Sequence, residues 1–391
     1  MTIWIRKLVM VLKVYEAEVV IIGGGAVGLG TAYQLSRNGF KNIWILEQEP
    51  YLGGKSTLKC AGGFRHQFSS KVNVEMSILS YEILNNLSRE RGSFFNNCGY
   101  MFALTEEDTM QEYADSVLLQ NSLGVESKWI STTEVKKLLP IINTDTIKAA
   151  TYYEKDGLID VGAIISFYIK ELQEKQINLK TNSKVKNIYV CSSGIKYVET
   201  ESMKIKTNII INGAGAEAGN INEMFTTQLP VKSMKQQLFV TSDFSQYQAT
   251  YPVVIYPTTG LGFHKEGQGI LSGLHMENPD QLKNVNRKWE LKHCKELVQA
   301  LDGIENTSIL TRWTGYYDMT PDLNPIIGED PDINGIFNAF GFSGHGLMHS
   351  AAASVLLCRM ILKQDLPIDI EALSSRRFYK DILNKKEIFK I

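Results

Sequence analysis

The chain has 391 residues, of which 44% are hydrophobic and 21% charged, with a formal net charge of −1. That length exceeds one ordinary domain, the composition excludes a disordered chain, and the charge gives no electrostatic case for nucleic acid or an acidic membrane face. Five cysteines (Cys60, Cys98, Cys191, Cys294 and Cys358) are widely spread and never form a C-x-x-C pair, which argues against a zinc module or disulfide frame and for a reducing compartment.

In chain order, the opening "MTIWIRKLVMVLKVY" is apolar but broken by Arg6, Lys7 and Lys13, and no small-residue cleavage site follows. The expectation is no signal peptide, with Met1 or Met10 as the start. Val19 to Ile22 form an apolar β-branched run of strand length; Ala26 to Asn38 then read as a helix ended by Gly39, and a second strand, Ile43 to Leu46, stops at Glu47. Between strand and helix, Gly23, Gly25 and Gly28 satisfy G-x-G-x-x-G, a tight turn that lets the backbone approach a pyrophosphate and the helix pack on the strand. Ala26 and Val27 open the helix whose free N–H groups face the phosphates. The glycines alone are a weak signal. Their context and Glu47, at the distance of a ribose hydroxyl acceptor with Gln48 beside it, point to an adenine dinucleotide without a 2′-phosphate.

A nicotinamide domain would continue with another βαβ unit. Instead "YLGGKSTLKCAGGFR" supplies a second polar, glycine-rich segment carrying Lys55, Ser56, Thr57, Ala61, Gly62, Gly63 and Arg65, which suits a longer cofactor laid across the domain. Further on, Thr105 as N-cap, Asp108 in a capping-box-like position and Gly124 at the far end predict a helix over that stretch, and Asp160 caps another over "VGAIISFYIKELQEK". Ile209 to Ile211 form a buried strand running into Gly213, Ala214 and Gly215. Between Pro230 and Arg312, "QQLFVT", "PVVIYP" and "GILSGLH" read as strands, and Ala351 to Leu362 as a buried helix too short to span a bilayer. The stretch "GFSGHGLMHS" fails as a hydrolase elbow, since G-x-S-x-G needs glycine where His345 stands, and as a metal site, since no third ligand accompanies His345 and His349.

The order of GGGAVG with Glu47, "STLKCAGGFR", "INGAGA", "RWTGYYDMTPDLNPIIG" and "GFSGHGLMHS" resembles the D-amino-acid oxidase superfamily of FAD enzymes, in particular the branch of sarcosine oxidases, glycine oxidase and dye-linked L-proline dehydrogenase β subunits. The resemblance runs from about Val19 onward. It implies an α/β fold: a Rossmann-like FAD-binding domain (1–90, 156–229 and 318–391) interleaved with an α+β substrate domain on an antiparallel sheet (91–155 and 230–317). It adds Val185, Gly315, Gly328, Gly344, His345, Gly346, Leu347 and Met348 to the cofactor contacts. It implies that Arg65 grips a substrate carboxylate and that His275 and Tyr317 line the active site; Tyr256 and His264, which flank "PTTGLGF" on an expected substrate-domain hairpin, are further candidates.

The activity implied is hydride transfer from the α-carbon of a small amino or imino acid, of sarcosine or L-proline type, to flavin N5. The departures from the pattern are informative. Where relatives tether the flavin through cysteine or histidine, this chain has Gly315 and Lys59, so FAD is expected to be non-covalent. Two lysines of the monomeric oxidases are replaced by Leu271 and Met348, and their loss removes positive charge that favours electron transfer to oxygen. The expectation is therefore a dehydrogenase passing electrons to another acceptor, with a partner subunit as a candidate, in the cytoplasm or peripheral to a membrane through that partner. An oxygen-using oxidase and an FAD-binding subunit without turnover stay open. A disulfide reductase does not, for want of a redox cysteine pair and a second NAD-type turn.

Overall fold

The structure is a computed structural model that describes residues 12–225, 229–275, 287–379 and 386–389. The reading of the N-terminal residues and of the start site lies outside the described residues.

β1 (Val19–Ile22) leads through a turn into α1 (Ala26–Arg37), and β2 (Ile43–Leu46) follows. Next come α2 (Lys71–Arg91), β3 (Tyr100–Leu104), α3 (Met110–Ser122), β4 (Lys128–Ile130), β5 (Ala149–Tyr153), α4 (Val161–Glu174) and β6 (Asn178–Lys180). β7 (Ile209–Asn212) precedes four strands in succession: β8 (Lys232–Thr241), β9 (Val253–Tyr256), β10 (Leu261–Glu266) and β11 (Gly269–Leu274). Then follow α5 (Arg287–Ala300), β12 (Ile309–Met319), β13 (Ile326–Glu329), β14 (Ile336–Phe340) and α6 (Gly346–Ile361).

Two large sheets organise these elements. The first has the order β6-β2-β1-β7-β14-β13, parallel throughout except for the edge strand β13. All four residues of β1 are buried, because its two faces are both covered. Val19 and Ile21 pack with α1, α4 and α6, while Val20 and Ile22 meet Val198 and Ile205 of a smaller four-stranded sheet. The second sheet has eight strands, β12-β8-β11-β10-β9-β3-β5-β4. It is antiparallel except where β9 runs parallel to β3, a junction that joins segments about 150 residues apart and that no local pattern announces.

The helix ends repay comparison with the sequence. Gly39, at φ 99°, follows α1, and the Phe40 N–H reaches back to the Leu35 carbonyl, a glycine-terminated cap. Asp160 caps α4 by accepting a hydrogen bond from Ala163 N–H at 2.8 Å. Thr105 does not cap α3. A 3₁₀ turn, Glu107–Thr109, intervenes; Thr105 bonds the Thr258 hydroxyl, and Glu107 pairs with Lys148 at 2.7 Å, so these polar groups tie the turn to the sheet instead. No described helix is long and apolar enough to cross a membrane.

Candidate functional site

A cavity of about 410 Å³ lies beyond the C-terminal ends of β1, β2 and β7, where the order of the parallel sheet reverses and open α/β sheets take their ligands. Gly23 turns the chain here at φ 105°, a conformation costly for residues with a Cβ. Gly28 does not line the cavity: a Cβ on it would overlap the Gly23 carbonyl oxygen, so its role is to let α1 start flush against the turn. Gly25, Ala26 and Val27 do line it, and the Ala26 N–H is held by Thr57 Oγ1 at 3.2 Å. Glu47 is buried, accepting from the Gly24 N–H at 2.8 Å with one carboxylate oxygen and from the Glu49 N–H at 2.9 Å with the other. Each oxygen has a second lone pair, which suits a ribose hydroxyl.

The opposite wall brings in Gly213, Ala214, Gly215 and Val185, and the near rim Gln48, Ser56 and Lys55, whose ammonium pairs with Glu49 at 3.5 Å and Glu217 at 3.4 Å. Gly344, Gly346 and Leu347, at the start of α6, close the far end. Cradle, buried acceptor and length together fit a dinucleotide.

A second, smaller chamber of about 70 Å³ shares Cys60, Tyr317, Gly344 and Leu347 with the first, so the two spaces meet. The eight-stranded sheet forms its wall. Register decides which side chains face it, because alternate residues of a strand point to opposite faces. Ile255 pairs with Gly262, Gly262 with Gly273 and His264 with Leu271, all on the chamber side. His264, His275, Tyr317 and Met348 all line it, with Ala61, Gly62 and Gly63 opposite. His275 Nδ1 lies 3.4 Å from the Gln236 amide nitrogen, and burial pushes the Tyr317 phenol above its ordinary range.

Five named residues are placed elsewhere. Tyr256 pairs with Leu261 on the other face of the sheet, packing with Phe263 and leaving its hydroxyl without a partner among the described residues. Arg65 is wholly buried and lines neither cavity; it donates to the carbonyls of Gln67 and Phe389, hydrogen-bonds Tyr100 and stacks on Phe68. His345 is buried against Phe68, and Gly328 sits in β13, paired with Asn338. Gly315 lines neither space. A Cβ on it would come within 3.7 Å of Lys59 Cβ, so the two positions at which the family resemblance implies a flavin tether are neighbours in space, and neither is a cysteine or histidine here.

Three lining residues carry no sequence signal of their own: Tyr100 from β3, Gln236 from β8, and Cys60, whose thiol burial pushes up to about 11 and so keeps protonated. Asp318, on the wall of the larger cavity, accepts from the Gly341 N–H at 2.6 Å, while burial raises its pKa to about 6. A carboxyl whose folded pKa is raised adds stability below its unfolded value, and that contribution is lost as pH rises through the folded value. Asp318→Asn, which keeps an acceptor for Gly341 but cannot ionise, is therefore expected to flatten the fall in Tm of the flavin-free protein between about pH 4 and pH 6. An unchanged Tm profile counts against a titrating Asp318.

The cavity runs from the β1 turn to Tyr317 at the wall of the second sheet, a length that suits a flavin dinucleotide and points to the class of flavin-dependent oxidoreductases. The chain belongs to the family of FAD dependent oxidoreductases called DAO, which matches residues 18–360, and its cofactor is FAD. It is 28% identical to FAD-dependent oxidoreductase domain-containing protein 1 of Xenopus laevis, over 93% of this chain and 83% of that one. With sarcosine oxidase subunit beta of Rhodobacter capsulatus it shares 24% identity over 90% of this chain and 87% of that one. The crystal structure of L-proline dehydrogenase from P. horikoshii superimposes with a TM-score of 0.88 and 29% identity, covering 95% of this chain and all of that one.

Proposed function

We propose that the protein oxidises the C–N bond of a small amino or imino acid, of sarcosine or L-proline type, and passes the electrons to an acceptor other than oxygen. The observation that carries this reading is the chamber of about 70 Å³ that meets the cofactor cavity at Tyr317 and Leu347. Its size admits a compact ligand. Its wall of Leu238, Val253, Ile255 and Leu274 suits the apolar part of such a ligand, and Tyr100, Gln236, His275 and Tyr317 supply the polar anchors. When bound, FAD supplies the acceptor for the hydride that leaves the carbon next to nitrogen. The protein's own share is to hold that C–H in place, to keep water out with Met348, Leu347 and Leu271, and to leave the amine neutral by offering it no carboxylate. Among the described residues lining the chamber there is no lysine or arginine to assist oxygen reduction, which supports another acceptor. Similarity to a protein named as a subunit supports an electron-accepting partner chain.

Holoprotein mixed under nitrogen with sarcosine, L-proline, glycine or D-alanine tests this directly. Bleaching of the visible flavin absorbance is expected with at least one of the secondary amines. Full colour with all four, after dithionite has shown the flavin to be reducible, rejects the reading in favour of a subunit without turnover.

A further inference from the structure

The chamber of the proposed function has to receive a carboxylate, yet none of the described residues that line it is a lysine, arginine, aspartate or glutamate. Arg65 is not on the wall itself: it donates to the Gln67 and Phe389 carbonyls and stands behind Tyr100, to which it hydrogen-bonds. The group that answers the need is His264. Its ring is buried, and both of its nitrogens meet backbone carbonyls: Nδ1 lies 2.7 Å from the Lys265 oxygen and Nε2 2.8 Å from the Ala61 oxygen. A carbonyl cannot donate a hydrogen bond. A neutral imidazole carries a single N–H, so one of the two contacts would set a ring lone pair against an oxygen lone pair at hydrogen-bond distance. Only the imidazolium, with two N–H groups, satisfies both acceptors.

The position of the ring gives that charge a use. His264 lies directly across from Leu271, so its charge occupies the part of the wall from which Leu271 brings none. Its Ala61 contact belongs to the Cys60–Gly63 segment that forms the facing side of the chamber. We infer that His264 is a buried imidazolium that clamps the Ala61 segment to the sheet and lends the chamber the positive charge that selects carboxylate ligands. It is a positioning residue, since both N–H groups are spent on backbone. The selectivity half of this inference rests on the proposed function; the protonation half does not.

The ionisable neighbours can be named element by element. On β10 itself, Glu266 favours the proton, and the Lys265 ammonium points away to the Phe244 and Gln268 carbonyls. β11 contributes none at Leu271; across the chamber stand Cys60, Tyr100, His275 and Tyr317. The His264 pKa is lowered on balance: burial is the largest influence and lowers it, while the Lys265 carbonyl, Glu266 and the Ala61 carbonyl raise it by less. Burial disfavours the charge of a ring without partners. Here the neutral ring is the one left unsatisfied, and it is this geometry, one N–H for two carbonyl acceptors, that argues for the charged form against the pull of burial.

The test uses holoprotein labelled with ¹⁵N-histidine. At pH 7.5 one ring signal, absent in His264→Gln, is expected to show both nitrogens protonated. Glu266→Gln, at an exposed strand end, should move the deprotonation of that same signal to lower pH, which identifies it even where the His264 variant does not fold. A neutral-ring signal for His264 at pH 7.5 overturns the inference. For the selective role, propionate binding followed through the flavin spectrum is expected to weaken about tenfold or more in His264→Gln, and propionamide binding to stay within about twofold. Equal loss of both probes reduces His264 to a structural clamp and overturns the role. A holoprotein that bleaches with no amine but retains the doubly protonated ring breaks the proposed function and leaves the protonation result intact.

Discussion

Gly28→Ala is expected to yield a protein that cannot retain FAD. The methyl group would be driven into the Gly23 carbonyl oxygen, which is backbone inside the turn at the end of β1 and has no rotamer by which to step aside. To make room, α1 must lift away from the sheet, and the helix N-terminus and Ala26 N–H then leave the cavity that they line. Overpacking of this kind costs about 3 kcal/mol. The loss of binding should be larger than the loss of fold, because the strain sits in the cradle itself. Gly30→Ala is the matched control: its Cβ meets the hydroxyl of Ser354, the end of a side chain, and a helix-interior glycine replaced by alanine recovers roughly 1 kcal/mol of propensity. The measurement is the flavin-to-protein absorbance ratio after gel filtration, with Tm alongside. Gly30→Ala should stay yellow and Gly28→Ala should emerge colourless yet folded. A yellow Gly28→Ala protein would show that the junction between β1 and α1 tolerates a Cβ, and with it that the cradle is looser than the backbone geometry implies.

The same turn illustrates what the sequence discloses. Val19 to Ile22 are buried on both faces, so the strand is written as an unbroken apolar run; Gly23 has φ 105°, so only glycine suits it; Asp160 caps because its side chain is short enough to reach Ala163 N–H. These are local facts with local signals. The second sheet is different. Whether Tyr256 or Ile255 faces the chamber depends on which residue it pairs with, and a shift of one position would exchange them. Composition does not carry register, nor the parallel seam between β9 and β3. The surroundings of Arg65 are hidden for a similar reason: the groups that hold it, Gln67 and Phe389, include one 324 residues away, and no motif links them. Thr105 shows the limit even of a local rule, since a capping pattern competes with partners such as Thr258 and, for Glu107, Lys148, that only the folded chain brings near.

The holoprotein is expected to reduce a dye at least about 100-fold faster than oxygen, and Leu271→Lys is expected to raise the oxygen rate by about tenfold or more while sparing dye reduction. Positive charge beside the reacting ring lowers the barrier to placing an electron on oxygen, and a hundredfold change in rate corresponds to about 2.7 kcal/mol. His264 does not supply that help even as an imidazolium, because both its N–H groups are committed to the Lys265 and Ala61 carbonyls and none can follow a developing anion. A lysine at position 271 brings a mobile ammonium directly across from it. The two charges repel: at ~6 Å and an effective dielectric of ~20 the penalty is about 3 kcal/mol, or roughly two pK units. A lysine that begins near ~10.4 therefore stays largely protonated at pH 7.5, though less so than one facing a neutral ring. This fixes the sign of the double variant. Removing the histidine charge with His264→Gln should raise the oxygen rate of the Leu271→Lys protein further at pH 8.5, where repulsion from the imidazolium matters most, and change it little at pH 6.5. Oxygen and dye rates followed side by side across that range decide the matter. An oxygen rate indifferent to lysine at 271 places the reacting ring out of reach of β11, and a wild-type protein that makes peroxide as fast as it reduces dye makes it an oxidase.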